Sequence, residues 1–170
     1  MPRPRSLIEY RERIMRYEPL EDGHFDRLYR FSEALRADPT PCLFWSLNEE
    51  RLLAWQRDEL RTTLIGLVDD DIACIGALQQ GGRHQQHLGE LSIAVHPDQR
   101  RDRHAACTVA TLEAHAHAMG IEVLKALIWV ENEPSRRLFD KLGYEHKGTL
   151  MAEFKDGDQE IDDAVYYKRL

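Results

Sequence analysis

At 170 residues the chain suits one domain with a core large enough to fold alone. Its 42% hydrophobic and 31% charged residues are the balance of a soluble globular protein, not of a disordered or membrane-embedded one. A formal net charge of −7 argues against a nucleic-acid partner, which needs basic surface to neutralise phosphates, and mildly favours an amine-bearing one.

Residues 1–12, opening Met1-Pro2-Arg3-Pro4-Arg5, carry no apolar signal core and are expected to be a flexible basic tail. Residues 13–170 are expected to form a single domain, since no repeat or linker interrupts them. No apolar run is long enough to cross a bilayer, so no membrane partner is expected. The three cysteines, Cys42, Cys74 and Cys107, are an odd number without CxxC spacing. Buried free thiols in a reducing compartment follow, with a cytoplasmic location as the default.

Ile14–Tyr17 is expected to form a short first strand, ended by Glu18-Pro19. Asp22 can cap a helix with Phe25, Leu28, Tyr29 and Leu35 on its apolar face, broken by Pro39-Thr40-Pro41. A second helix starts near Asn48, where Glu49 and Glu50 suit a helix N-terminus. From Thr62 the period changes to two: 62–68 and 72–78 form a hairpin around Asp69-Asp70-Asp71, and 88–95 adds a third strand. The best helix runs from about Ala105 to Met119, with Ala105, Val109, Leu112, Ala116 and Met119 on one face and Gly120 as its stop. Residues 123–130 form a nearly continuous apolar strand, as expected of one covered on both faces. A short helix follows Asn132, with Pro134 in its first turn, Ser135, Leu138, Phe139 and Leu142 on one side, and Gly143 as its cap. Two last strands, 147–154 and 163–168, flank the turn Asp156-Gly157-Asp158. The whole is an α/β (α+β) pattern.

Two stretches carry chemistry. In the first, Ile93-Ala94-Val95-His96-Pro97-Asp98 is a strand that runs into Arg100-Arg101-Asp102-Arg103-His104-Ala105-Ala106 and a helix start. A helix N-terminus offers unpaired amides to an anion, and cations beside it oppose the helix dipole unless an anion is present. The alternative is a solvated charged loop. In the second, Asn132-Glu133-Pro134-Ser135 leads to Leu138-Phe139 and Leu142-Gly143-Tyr144. There Asn132 can serve as a helix cap.

Together these stretches resemble the acyl-CoA core of the GCN5-related N-acetyltransferases (GNAT), over about residues 62–170. The resemblance implies a mixed, mostly antiparallel sheet of six to seven strands, splayed at the centre and flanked by about four helices. It also implies acetyl-CoA as co-substrate, no metal, and acetyl transfer to a small-molecule or peptide amine by direct attack in a ternary complex. Dimers are common in such proteins, so a homodimer is an expectation. The backbone of Ile93, Ala94 and Val95 would pair with the pantetheine arm, and an amide near Ile93 or Ala94 would polarise the thioester carbonyl. Arg100, Arg101, Asp102, Arg103, His104, Ala105 and Ala106 would hold the pyrophosphate. Asn132 and Ser135 would border the cofactor.

Two positions depart from the family pattern. Arg103 stands where the loop has its central glycine, and a side chain there can crowd a phosphate or need negative φ. Phe139 replaces the tyrosine that often protonates the leaving thiolate, so water, Ser135 or another tyrosine must act. Glu90, at the start of the splayed strand, is the candidate base, with a surface strand residue as the plain alternative. Leu127 occupies the position where ribosomal-protein N-terminal acetyltransferases often carry a glutamate, which disfavours that substrate.

His84, His87, His115 and His117 offer no set of three or four convergent ligands, so no metal is expected. GxSxG, GxxxxGK[ST] and GxGxxG are all absent from the chain. The competing reading is a non-catalytic GNAT-like module that binds a ligand or partner, because it would show these same two departures.

Overall fold

A computed structural model describes residues 15–40, 44 and 46–170. The expected tail 1–12, Ile14 and Cys42 lie outside the described residues. In chain order the elements are β1 (Arg16–Pro19), α1 (Phe25–Ala37), α2 (Glu49–Arg57), β2 (Arg61–Val68), β3 (Asp71–Gln80), β4 (Leu88–Val95), α3 (His104–Ala118), β5 (Val123–Trp129), α4 (Glu133–Lys141), β6 (Glu145–Asp156) and β7 (Gln159–Arg169). Among the described residues, no helix is long and apolar enough to cross a membrane.

The seven strands form one sheet in the order β1-β2-β3-β4-β5-β7-β6. All neighbours are antiparallel except β4 and β5. This parallel pair is joined through α3, the long crossover that parallel strands require. It holds only from Leu88/Val123 to Leu91/Ala126. Beyond that point the two strands part, while β4 stays paired to β3 through Val95 and β5 to β7 through Trp129. The sheet is therefore splayed at its centre, as the resemblance implies.

Helix ends follow the residues that can stop or cap them. Asn48 accepts from the Arg51 amide at 2.8 Å and opens α2. The carbonyls at the end of α3 and α4 are followed by Gly120 and Gly143, both in the left-handed region at φ 74° and 83°. Between them α1 and α2 cover one face of the sheet and α3 and α4 the other, so there are two cores. Leu28, Phe31, Leu35 and Leu52 pack with Ile65, Ile75 and Ala94 on the first face. Val109, Leu112 and Phe139 pack with Leu78, Leu91, Leu124, Ala126 and Tyr166 on the second. Gly76 lets α3 sit close to β3: a Cβ there would lie 2.5 Å from Thr108 Cγ2.

Several expectations are corrected. Phe31 is a main contact of α1 absent from the expected stripe, although it stands three residues after Leu28 and four before Leu35 on the same face, whereas Tyr29 is only half-buried. Of the stripe expected on α4, only Phe139 is fully buried. Cys107 is exposed on α3 and not in the core, because Thr108 and Val109 take the inward positions; Cys74 is buried as expected. β6 and β7 are longer than expected, and β6 is exposed throughout as the outer edge. It carries a bulge of Met151–Glu153 between the pairs Leu150/Asp163 and Phe154/Ile161. Ala152 in that bulge has φ 54°, and its amide donates to Asp162 Oδ1 at 2.7 Å.

Candidate functional site

The splay opens a narrow cleft of about 60 Å³ between β4 and β5. Leu91, Ser92 and Ile93 form one wall, Ala126 to Trp129 the other, and Asn132, Ser135, Phe139 and Phe44 complete it. Backbone parity says which groups look into it. The His96 amide donates to Ala73 at 2.8 Å and the Gly81 amide to Leu88 at 2.9 Å, so the even residues of β4 bond to β3. The odd residues, Ile93 and Val95, therefore turn their amides and carbonyls towards the splay. On β5 the same argument, from the Val130 amide to Asp162 and the Leu170 amide to Glu122, turns Leu127 and Trp129 towards it. Of the two expected carbonyl-polarising amides, Ile93 has the right orientation. The Ala94 amide points to β3, and its side chain is buried against α1 and α2.

At the mouth, Arg101 and Arg103 both adopt left-handed backbone, at φ 73° and 63°. The conformation a glycine would take at position 103 is thus kept, with arginine in it, against the expectation that a side chain there would need negative φ. Arg103 is the N-cap residue of α3 and supplies no side-chain cap; the first turn holds no acidic residue. The amides of His104, Ala105 and Ala106 precede the first intrahelical bond, which the Cys107 amide makes to the Arg103 carbonyl at 3.0 Å. Arg101, Asp102 and Arg103 are exposed. Arg100 turns away instead, donating to Asp38 Oδ1 at 3.0 Å and Thr40 Oγ1 at 3.3 Å. His104 is buried.

At the other end, Asn132 Oδ1 accepts from the Ser135 amide at 3.2 Å, so the cap role is realised beside the cleft. Phe139 is only 2% exposed and meets Tyr144 edge-on at 4.9 Å. Tyr144 cannot replace the missing acid: burial first, and then Glu113, push its hydroxyl far above the ordinary range, and it donates to Glu113 at 2.9 Å. Tyr17 is likewise raised to about 12, chiefly by burial. Ser135, half-buried in the cleft wall, is the one hydroxyl donor of the expected set that lines it beside Ser92.

Glu90 does not line the cleft. It lies on the α1/α2 face of β4 and is held by Lys125 Nζ at 2.7 Å, its register partner on β5. The same face carries Trp129 and, opposite it on β7, Asp163. Asp163 is fully buried, and neither carboxylate oxygen has a hydrogen-bond partner among the described residues. Burial, then Glu153 and Glu90, raise its carboxyl to about 6. The sequence reading missed Ser92, Trp129, Phe44 and Asp163. A signal existed for Asp163: it is an acid inside the run Ile161–Tyr166 whose neighbours alternate into two apolar layers. Among the described residues no group of His, Cys, Asp and Glu could hold a metal.

The sequence profile of the acetyltransferase (GNAT) family matches residues 17–144. No curated protein matches the chain. Solved structures share the fold at low identity. An acetyltransferase of the GNAT family from Streptococcus pneumoniae superposes with a TM-score of 0.78 at 17% identity, covering 92% of this chain and 100% of its own. An N-acetyltransferase from Staphylococcus aureus Mu50 gives 0.78 at 20%, covering 92% and 98%. The Salmonella typhimurium protein yncA, described as an acetyltransferase and solved with its cofactor acetyl-CoA, gives 0.77 at 15%, covering 91% and 93%.

Proposed function

This chain belongs to the acetyltransferase (GNAT) family, and we propose that it moves an acetyl group from acetyl-CoA to a primary amine by direct attack in a ternary complex. The observation that carries the reading is the splay. It leaves the backbone of Ile93, Val95, Leu127 and Trp129 facing a narrow cleft whose mouth meets the uncapped N-terminus of α3. An extended amide-bearing arm fits such a slot by strand-like pairing, and a pyrophosphate suits the helix end. A neighbour of the same fold holds acetyl-CoA, which supports the same cofactor here.

Acetyl-CoA supplies a thioester, whose carbon is the electrophile. The Ile93 amide donates to its carbonyl oxygen and stabilises the charge that develops there. Arg101 and Arg103 add positive charge at the pyrophosphate end, while Arg100 holds the loop to Asp38. Asn132 fixes the start of α4, and Ser135 returns a proton to the departing sulfur, the role that Phe139 cannot perform. The acceptor approaches from the α1/α2 face, where Glu90 and Asp163 lie. Glu90, the carboxylate expected from the sequence, shares that face but is occupied by Lys125. A homodimer would draw on the exposed outer strand β6.

Calorimetry with acetyl-CoA, followed by thiol release in the presence of primary amines, tests this reading. Binding with amine-dependent thiol release is expected. Binding without release for any amine would favour the non-catalytic module, for which the buried Phe139 is the supporting feature.

A further inference from the structure

Asp163 has no role in the fold that its surroundings reward. Its register partners are Trp129 on β5 and Leu150 on β6, and Phe154 of the next pair lies against Trp129 with ring centroids 5.9 Å apart. An ionised carboxylate in such company, without a hydrogen bond, is costly. It does not itself line the cleft, but its register partner Trp129 does. By the parity of β5 and β7, Trp129 and Asp163 are a non-hydrogen-bonded pair, whose Cα atoms approach to about 4.5 Å and whose side chains share a face. Trp129 is also a wall of the cleft. An aromatic face beside a buried, unpartnered carboxylate is a pair of groups that suits an alkylammonium ion.

We propose that Asp163 seats the ammonium of the acceptor and takes its proton, which makes the acceptor class a primary alkylamine without net negative charge. This rests on the acetyltransferase reading. The ammonium N–H bond breaks, and its proton goes to Asp163 as a carboxylic acid. The freed nitrogen lone pair attacks the thioester carbon, the C–N bond forms, and the C–S bond breaks with its electron pair on sulfur. The remaining N–H proton lost on forming the amide passes, through Ser135 or water, to the thiolate. Asp163 then releases its proton to solvent.

The alternative base, Glu90, already has a fixed cation at 2.7 Å, whereas Asp163 has none. The charged or titratable groups on its face, among the described residues, include Glu153 in the β6 bulge, Glu90 with Lys125 attached and Arg61 beyond it on β2, Tyr167 and Arg169 further along β7, and Glu145 opposite Tyr167 on β6. Two of these, Glu153 and Glu90, disfavour a free carboxylate and would favour an approaching cation. They would also repel an acceptor that carries its own acids.

The test follows the Asp163 carboxyl by ¹³C NMR in aspartate-labelled protein saturated with acetyl-CoA, with and without 1,4-diaminobutane as the probe amine. The signal is identified by its loss in Asp163→Asn, or in Asp163→Glu where Asn does not fold. Its titration is expected near pH 6 alone, and clearly lower with the diamine present. Thiol release with the same amine should fall by about 10²-fold or more in Asp163→Asn, and its acidic pH limb should vanish. Glutamate as the probe should leave the titration where it was. A titration unmoved by 1,4-diaminobutane, in protein that calorimetry shows to bind acetyl-CoA, overturns the inference and leaves the acetyltransferase reading standing. Failure to bind acetyl-CoA at all sinks that reading first.

Discussion

Arg100 Nη1 donates to Asp38 Oδ1 at 3.0 Å, joining the loop before α3 to the residue that ends α1. Thr40 closes the same knot, donating its amide to Asp38 at 2.8 Å. Burial works against ionisation of Asp38, but the bonds from Thr40 and then Arg100 outweigh it and hold the carboxyl below its usual range. The tie is therefore present at neutral pH and is lost as the pH falls through that lowered value. Asp38→Asn should loosen the loop and weaken acetyl-CoA binding about three- to fivefold, the equivalent of roughly 0.5–1 kcal/mol for a half-buried ion pair. Calorimetry on wild type and variant checks this. An unchanged affinity would mean the loop is held by its own backbone.

Arg103 bears a side chain in a conformation that costs an L-residue about 1–2 kcal/mol. Arg103→Gly should recover most of that, offset in part by the greater freedom of glycine in the unfolded chain. A net gain of about 0.5 kcal/mol in urea unfolding is expected. Acetyl-CoA binding should survive the change, because the backbone is already in place; a loss beyond tenfold would assign Arg103 a direct phosphate contact.

Tyr144 and Ser135 separate structure from chemistry. Tyr144 is committed to Glu113, which also receives Lys168 Nζ at 2.8 Å. Tyr144→Phe should cost about 1 kcal/mol of stability and leave turnover unchanged. Ser135→Ala should barely alter the melting temperature but slow thiol release by about tenfold or more. The opposite pattern would place the acid on Tyr144.

The raised carboxyl of Asp163 makes a stability prediction with a definite sign. Its folded value, about 6, lies above the unfolded one near 3.9. The contribution is therefore intact below about pH 4 and is lost as the pH rises through 6. Asp163→Asn removes that loss, so the variant should gain on wild type by on the order of 1–2 kcal/mol between pH 4 and pH 8. Paired urea melts at the two pH values measure it. A pH-independent difference would mean that the carboxylate finds a partner in solution.

Much of this arrangement was legible in the sequence because strong local signals coincide with it. Ile93-Ala94-Val95-His96-Pro97 marks β4 and its end, and the apolar run after Ile121 marks β5. Asn132, Pro134 and Gly143 bracket α4. Parity of hydrogen bonding was not legible, since it depends on which partner each strand chooses; only the register distinguishes Ile93 from Ala94. Nor was the pairing of Arg100 with Asp38, 62 residues away. Glu90 could be seen as a strand carboxylate, but Lys125 reaches it only because β4 and β5 lie side by side, with α3 between them in sequence. Asp163 is hidden in the sequence because the pattern points to a last strand starting there, whereas the strand begins at Gln159 and carries the acid inward.

The parting of β4 and β5 after Ala126 has a mechanical side. Four residue pairs join β1–β4, with the helices on them, to β5–β7. Filling the gap with an extended ligand would restore a missing row of bonds down the middle of the sheet. Such a ligand should do more than occupy a surface: it should slow amide hydrogen exchange on both flanking strands at once, as a zip drawn shut stiffens the cloth on either side.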